Sequence, residues 1–435
     1  MIRIFAFAFV LLAALPVRAA TDIQVVTSPG GITAWLVQEP SIPMVAFQFS
    51  FRGGASQDAP EKLGATNLMV GLLEEGAGDM NATTFAERSD ELGARFRFST
   101  GRDSVSITAS MLTSNLAESA ALLRLALNEP TFGEVAFERV RGQVNSGLRS
   151  DETDPQSIGG TAFQAMVFPE HAYGRPTDGT LEAVAALTPD DMRVAHRNAL
   201  GRNDVKIGVV GDITPEALGL LLDELLGELP DDITDSVPDI TPVLDAGITA
   251  IAFDTPQSVV IFAQPGLKRD DDDYLAAYVL NHIIGGRSST ARLNVEVREE
   301  RGLTYGISSF LLPYEHAALY MGHFNSGNDI VAEAVGIVQD EWAKVATTGV
   351  TAEELDVAKR YLTGAYPLRF DGNAEIAGIL AGLQVVQLPI SYIVERNDLV
   401  NAVSLDEINR VAAKLYQPEK LRFVVVGQPE GLAAE

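Results

Sequence analysis

The sequence predicts an α+β fold of two homologous halves, each an antiparallel-rich sheet with helices packed on one face. Two short repeats indicate the duplication. "GITA" begins at Gly31 and again at Gly247, and "VVG" begins at Val209 and again at Val425. In both cases the second copy follows the first after 216 residues, at opposite ends of each unit. A shared offset indicates that one structural unit occurs twice.

The order of strand-like and helical segments also agrees between the halves. Each "GITA" opens a β-rich run, residues 32–51 in the first half and 248–264 in the second. Each "VVG" follows a helix that begins with Ser or Thr and acidic residues, which is an N-cap signature. Apolar periodicity predicts further amphipathic helices at residues 83–95, 114–128, 134–149, 273–285, 329–347 and 351–366.

Each half has the size of an ordinary domain. We expect an N-terminal domain at residues 21–229 and a C-terminal domain at residues 247–435. Residues 230–246 contain several prolines and aspartates, which predicts an extended linker between the two domains.

The first twenty residues have the pattern of a secretory signal peptide. Arg3 precedes a short apolar core, and a small-x-small motif predicts cleavage near Ala19 or Ala20. The apolar core is too short for an ordinary transmembrane helix, and no later run reaches that length. We therefore expect an exported, periplasmic protein without a membrane span.

Composition narrows the possible functions. The chain has 32 Lys and Arg against 59 Asp and Glu, a formal net charge of −27, which argues against binding to nucleic acid. Cysteine is absent, which excludes disulfides, thiol nucleophiles and cysteine-based zinc sites. Stability must therefore come from large apolar cores.

The segment "GATNLMVGLLEEG", residues 64–76, predicts a short buried helix with two unusual residues. Gly71 lies in its middle, where glycine costs about 1 kcal/mol relative to alanine. Asn67, one turn earlier, is the only polar side chain of its apolar part. One explanation is close packing at Gly71 with Asn67 hydrogen-bonded locally; the other is a site that has lost its ligands.

Three motifs carry a resemblance to a known family. They are "GGRSSTARLNVEVREERGLTYGISS" at residues 285–309, "HAYGRPTDGT" at 171–180 and "VVGDIT" at 209–214. The chain resembles the pitrilysin/insulinase-type zinc peptidases, which include the mitochondrial processing peptidase. The resemblance implies that a first-half helix carries His-x-x-Glu-His, with two zinc ligands on one helix face and a glutamate that activates water.

At the matching positions this chain has Asn67, Val70 and Gly71, and where the third ligand is expected it has Ser146 and Gly147. The resemblance therefore implies a degenerate zinc site and no metal or other cofactor on this chain. None of the five histidines forms an i, i+3 or i, i+4 pair, so they do not rebuild the site. We interpret the aspartate run in "KRDDDDY", residues 268–274, as a solvated helix N-terminus and not as a metal cluster.

The second-half motif keeps Arg298 and Tyr305, seven residues apart. In the family such a pair reaches into the active chamber, binds the peptide backbone and stabilises the oxyanion, a role suited to a guanidinium and a phenol. The plain alternative is a surface ion pair for Arg298 and a packed strand tyrosine for Tyr305. Arg301 is a competing arginine, at a position that varies in the family.

The resemblance implies a division of labour between two chains that form the halves of a clamshell around a peptide. We expect the non-zinc, substrate-binding subunit of a heterodimeric periplasmic zinc peptidase, with Arg298 and Tyr305 acting in trans on a homologous, zinc-bearing partner. The alternatives are an inactive scaffold or peptide-binding protein without a peptidase partner and, less favoured, a lone peptidase with other ligands.

Overall fold

The computed structural model describes residues 22–233 and 237–432, so the predicted signal peptide lies outside the described residues. The first half contains a six-stranded sheet in the order β1-β2-β8-β3-β7-β6, in which only β2 and β8 are parallel. These strands, with the small hairpin β4-β5, are β1 Ile23–Thr27, β2 Thr33–Gln38, β3 Met44–Arg52, β4 Gly76–Ala77, β5 Met80–Asn81, β6 Arg95–Thr100, β7 Ser104–Leu112 and β8 Lys206–Gly211.

The second half contains a five-stranded sheet in the order β11-β12-β10-β13-β9, in which only β13 and β9 are parallel. Reversed, this order matches β2-β8-β3-β7-β6 strand for strand, including the parallel pair. The predicted α+β fold of two homologous halves is therefore confirmed. The strands are β9 Gly247–Ala252, β10 Gln257–Pro265, β11 Ile307–Pro313, β12 Ala318–Gly327 and β13 Arg422–Gly427.

All six amphipathic helices expected from periodicity are present, with ends within three residues of the prediction. In the first half the helices are α1 Ala65–Val70, α2 Ala82–Leu92, α3 Leu116–Asn128, α4 Glu134–Asp151, α5 Pro155–Val167, α6 Leu181–Ala185, α7 Pro189–Ala199 and α8 Pro215–Leu226. In the second half they are α9 Tyr274–Ile284, α10 Val331–Thr348, α11 Ala352–Ala365, α12 Asn373–Val385, α13 Tyr392–Ala402 and α14 Leu405–Leu415. Within the described ranges, no helix is long and apolar enough to cross a bilayer.

The expected N-caps are formed before the closing strand of each half. Thr188 caps α7 and Ser404 caps α14, each in a capping box with the acidic residue three positions later. The strands that follow, β8 and β13, lie inside their sheets and are almost entirely buried. The repeated "VVG" therefore marks an interior strand of each sheet.

The two halves exchange one helix each. In the first half α5 packs against β10 and β13 of the second sheet, where Phe163 and Val167 enter a core with Ile261 and Val426. In the second half α12 packs against β3 and β8 of the first sheet. Each sheet thus has helices of its own half on one face and a helix of the other half on the opposite face, an addition to the predicted layer arrangement.

The segment that joins the halves is packed and not free. Val237 and Leu244 are buried in the core that includes α5, and the N–H of Ile240 donates to the carbonyl of His316 at 2.9 Å. The chain between the halves thus adds to the contacts that hold them together. The predicted domain limits, 21–229 and 247–435, stay a prediction.

Candidate functional site

The degenerate zinc positions lie on α1 and at its end. Val70 is buried, Asn67 is half-buried, and Gly71 is exposed. The helix ends at Val70 and Gly71 is its C-cap, so the prediction that Gly71 lies in mid-helix is wrong. The chain turns there, since the N–H of Leu72 and that of Leu73 bond to carbonyls only three residues back.

Close packing explains Gly71 but not Asn67. A Cβ at Gly71 would lie 3.2 Å from Cγ1 of Val140 on α4, so the glycine lets α4 approach α1 closely. The Asn67 side chain makes no hydrogen bond to another described residue, which is contrary to the local bond expected under the packing explanation. Asn67 therefore has no structural role in the described residues that accounts for its place on α1.

The N-terminus of α1 is held by a buried carboxylate. Asp58 accepts hydrogen bonds from the N–H of Gly64 at 3.0 Å and from the N–H and hydroxyl of Thr66 at 3.1 and 2.6 Å. Burial raises the pKa of Asp58 to about 6 although these donors favour the ionised form. Asp58 thus fixes the start of the helix on which the degenerate site lies.

A pH dependence of stability follows from Asp58. Because its pKa in the folded protein lies above the usual 3.8, its contribution to stability is complete below pH 4 and is lost as the pH rises through 6. We expect this term to reach about 3 kcal/mol, since one pKa unit corresponds to about 1.4 kcal/mol. Urea unfolding at pH 4 to 7 should show the difference between wild type and Asp58→Asn growing smaller as the pH rises. A difference that stays constant with pH would contradict this assignment.

The helix expected to carry the third ligand is α4, and it offers no carboxylate at the matching place. Ser146 and Gly147 are both exposed on α4. Within the described residues, no group of three or more His, Asp or Glu side chains is arranged to hold a metal ion. An amide, a valine, a serine and two glycines do not form a zinc-ligand set, so the residues present do not fit the metal that the resemblance implies for active members.

The five histidines have other contacts. His196 bonds to the carbonyl of Leu127 at 2.7 Å, and burial lowers its pKa, which keeps the ring neutral. His171 bonds to the carbonyl of Pro238 at 2.9 Å. His282 and His323 each contact an aromatic ring, and His316 contacts a carboxylate. Each of the five rings therefore has a different partner, and these contacts do not indicate a shared metal site.

The interpretation of residues 268–274 as a solvated helix N-terminus does not hold for Asp273. Asp273 precedes α9 but is buried, and it forms ion pairs with Arg410 at 2.6 Å and Lys414 at 2.7 Å on α14. These partners lower the pKa of Asp273 to about 2. Asp273 is therefore an anchor between two helices, a role that a run of charges in the sequence does not reveal.

The retained pair lies on one segment of the second half. Arg298 is in a π-helical turn, Asn294–Glu299, and Tyr305 lies in the loop before β11. Tyr305 is 89% exposed, so it is not a packed strand tyrosine. Arg298 is exposed and pairs with the adjacent Glu299 at 3.3 Å, a contact of the kind that contributes little to stability.

This segment, residues 288–306, is anchored from both sides. Arg292 forms a two-pronged ion pair with Glu354 at the N-terminus of α11, at 2.6 and 2.8 Å. Burial alone would raise the pKa of Glu354, but the hydrogen bonds from Arg292 and Thr351 lower it to about 2. At the other end the hydroxyl of Ser326 donates to the carbonyl of Leu303 at 2.7 Å. The backbone between these anchors is therefore fixed although Tyr305 is exposed. Sequence reasoning missed the Arg292–Glu354 pair, although Arg292 lies inside the recognised motif.

The motif "HAYGRPTDGT" holds the halves together. The hydroxyl of the buried Tyr173 donates to Asp103 at 2.6 Å and accepts the N–H of His316 from the second half at 3.0 Å. Its last residues pack on α1, because Gly179 and Gly64 approach so closely that a Cβ at Gly179 would lie 2.9 Å from the Gly64 Cα. The motif is thus structural, and it connects the start of α1 to the junction of the halves.

Comparison with known proteins agrees with this arrangement. Residues 34–181 match the family model described as insulinase (peptidase family M16), and residues 186–362 match the one described as peptidase M16 inactive domain. An uncharacterized zinc protease of Streptomyces coelicolor is 25% identical over 396 residues, 89% of this chain and 85% of the relative. The non-peptidase homolog YmxG of Helicobacter pylori is 23% identical over 389 residues, 88% of this chain and 89% of the relative.

A solved structure gives the same result. The crystal structure of a peptidase M16 inactive domain from Pseudomonas fluorescens superposes with a TM-score of 0.88 at 26% identity, over 95% of this chain and 99% of that one. The two matched regions, 34–181 and 186–362, extend from the first half into the second. This protein therefore belongs to peptidase family M16, the insulinase family.

Proposed function

We propose that this chain is the non-zinc, substrate-binding subunit of a periplasmic heterodimeric zinc peptidase. The observation that carries the proposal is a contrast between the two halves. The first half has Asn67 and Gly71 where active members have zinc ligands and Val70 where they have the glutamate that activates water, whereas the second half presents Arg298 and Tyr305 on an anchored segment. Two exposed side chains on a fixed backbone are suited to act on a site in a partner chain.

The chemistry of the pair fits the proposed role. A guanidinium supplies forked N–H donors and a phenol supplies one short O–H donor, both useful where a carbonyl oxygen gains negative charge. In the complex Arg298 and Tyr305 would hold the peptide backbone and share the charge of the oxyanion. Zinc and the activation of water would be supplied by a homologous partner with His-x-x-Glu-His, and none of this chemistry is assigned to residues of the present chain.

A scaffold without a peptidase partner is the second candidate. The name of the Helicobacter pylori relative, non-peptidase homolog, favours it. The exposed Tyr305 argues against it, because a scaffold that binds no substrate has no need of this side chain. The two candidates differ in whether a zinc-bearing family member from the same organism forms a complex with this chain.

Co-purification tests the proposal. The mature chain with an affinity tag is expressed together with a family member from the same genome that carries His-x-x-Glu-His. We expect the two chains to elute together in equal amounts from size exclusion, with about one zinc per heterodimer. Elution of this chain alone, at any mixing ratio, would favour the scaffold.

Metal analysis of the single chain gives a separate prediction. The purified chain, dialysed against a mild chelator, should contain far less than one zinc, because Asn67, Val70 and Gly71 provide no ligand set and α4 adds no carboxylate. The partner treated in the same way serves as the control and should retain its zinc. Stoichiometric zinc on the present chain would show that other residues bind the metal.

A further inference from the structure

A cavity of about 760 Å³ lies in the second half, between α9, α12 and α13. It is separate from the segment of Arg298 and Tyr305, none of whose residues lines it. Its volume is in the range typical of pockets for small molecules and short peptide segments. Aromatic and basic side chains are concentrated in its wall: Tyr274, Tyr278, Tyr366, Tyr392, Arg269 and Arg396.

The arginines of this cavity have no counter-ion among the described residues. Within residues 22–233 and 237–432, neither Arg269, Arg369 nor Arg396 has a carboxylate within ion-pair distance. Arg396 is only 4% exposed, and its guanidinium donates to the carbonyl of Leu362 at 2.7 Å and to the hydroxyl of Tyr278 at 3.3 Å. The guanidinium also lies over the rings of Tyr366 and Tyr278, at 4.6 and 5.6 Å from their centroids, so its present partners are neutral. An anionic group that enters the cavity would add the opposite charge that these partners do not supply.

Two carboxylates also line the cavity but do not neutralise it. Asp371 and Glu375 lie near the start of α12, and in the described part of the chain neither forms an ion pair with the three arginines. The charged residues of the lining thus sum to one positive charge, in a protein whose net charge is −27. The sign of the charge in the lining is thus opposite to that of the whole chain.

The other wall groups provide hydrogen-bond donors and an apolar surface. Burial raises the pKa of Tyr274 and Tyr366, which keeps both phenols protonated, and neither hydroxyl bonds to another described residue. On α12 Gly378 and Gly382 lie one turn apart, and a Cβ at either would meet no heavy atom within 4 Å. The glycines therefore leave open space beside aliphatic side chains such as Leu383.

We propose that this cavity binds a carboxylate attached to an aromatic or branched aliphatic body. Arg269 and Arg396 would pair with the carboxylate, the tyrosine rings would pack on the body, and the space beside Gly378 and Gly382 would receive its apolar end. The C-terminal residue of a peptide and a free organic acid both have this chemistry. The site is independent of the role proposed for Arg298 and Tyr305.

Calorimetric titration of the full mature chain tests the proposal. The probes are the peptide acetyl-Ala-Ala-Leu-Phe with a free C-terminus, the same peptide with a C-terminal amide, and N-acetylphenylalanine. We expect the free acid to bind about tenfold or more tightly than the amide, because a charge-assisted bond to arginine is lost with the charge. Binding of N-acetylphenylalanine as tight as that of the peptide would identify a free acid as a sufficient ligand, and tighter binding of the peptide would identify a peptide end.

Two variants locate the binding. Gly382→Leu fills the cavity from a helical position with no neighbour in the way, and it should abolish binding without loss of thermal stability. Gly336→Leu, on α10 and equally free of neighbours, is the matched control and should bind like wild type. Arg269→Gln should weaken binding of the free acid about tenfold and leave the amide unchanged. Equal affinity for acid and amide, unaltered binding by Gly382→Leu, or no binding of any probe at millimolar concentration would overturn the proposal.

Discussion

Replacing Arg298 by alanine is expected to lower kcat of the assembled peptidase by about 100- to 1000-fold, the usual cost of removing one donor to an oxyanion. The KM should rise as well, because the same guanidinium is expected to bind the ground-state peptide backbone. Tyr305→Phe removes only a hydroxyl and should cause a loss of the same order. Steady-state kinetics of the purified heterodimer on a fluorogenic peptide measures both effects.

The chain contains a matched control for this experiment. Arg301 lies three residues from Arg298 and pairs with Glu296 at 2.7 Å, so Arg301→Ala removes the same charge from the same segment. We expect near-normal activity from Arg301→Ala, and we expect both arginine variants to elute with the partner as wild type does. Full activity of the Arg298→Ala, Tyr305→Phe double variant would refute the role of the pair. A loss of activity explained entirely by loss of the complex would refute it too.

The second large effect is expected at Gly208, where the exchanged helix α12 crosses β8. A Cβ at Gly208 would lie 2.9 Å from the backbone nitrogen of Ala381 and would overlap the carbonyl oxygen of Ala377. Because backbone atoms cannot rotate away, Gly208→Ala must displace α12 from the first sheet. We expect a loss of about 3 kcal/mol or more in the free energy of unfolding.

Urea unfolding monitored by circular dichroism measures this loss. Gly160→Ala, on the other exchanged helix, is the control, because no heavy atom lies within 4 Å of the added Cβ. That change should be neutral or stabilising by up to about 1 kcal/mol, since alanine is a better helix former than glycine. Equal stability of Gly208→Ala and wild type would mean that α12 does not pack on β8 as the structure shows.

The duplicated fold could be predicted because its signal is local and repeated. The two "VVG" motifs end β8 and β13, which hold the same position in the two sheets, and their unbroken apolar runs are typical of strands buried on both faces. The exchange of α5 and α12 could not be predicted in this way. An apolar helical sequence predicts burial but does not predict which sheet the helix covers. The helix α12 is apolar over most of its surface.

The candidate site was predictable residue by residue but not in its geometry. The loss of two ligands at Asn67 and Gly71 and of the glutamate at Val70 can be seen in the sequence. The end of α1 at Val70 depends on hydrogen bonds to carbonyls three residues back, which periodicity does not reveal. The pair Arg298 and Tyr305 was identified by its motif. Its anchor, Arg292 with Glu354, joins residues 62 apart and is visible only in three dimensions.

Peptidase activity of the separate and the mixed chains tests the division of labour most directly. A zinc-bearing family member from the same organism and the present chain are assayed alone and together on a library of unstructured peptides. We expect no activity from the present chain, little from the zinc-bearing chain, and chelator-sensitive cleavage from the mixture that saturates at equal amounts of the two. Activity of the zinc-bearing chain that is unchanged by addition of this one would contradict the proposed function.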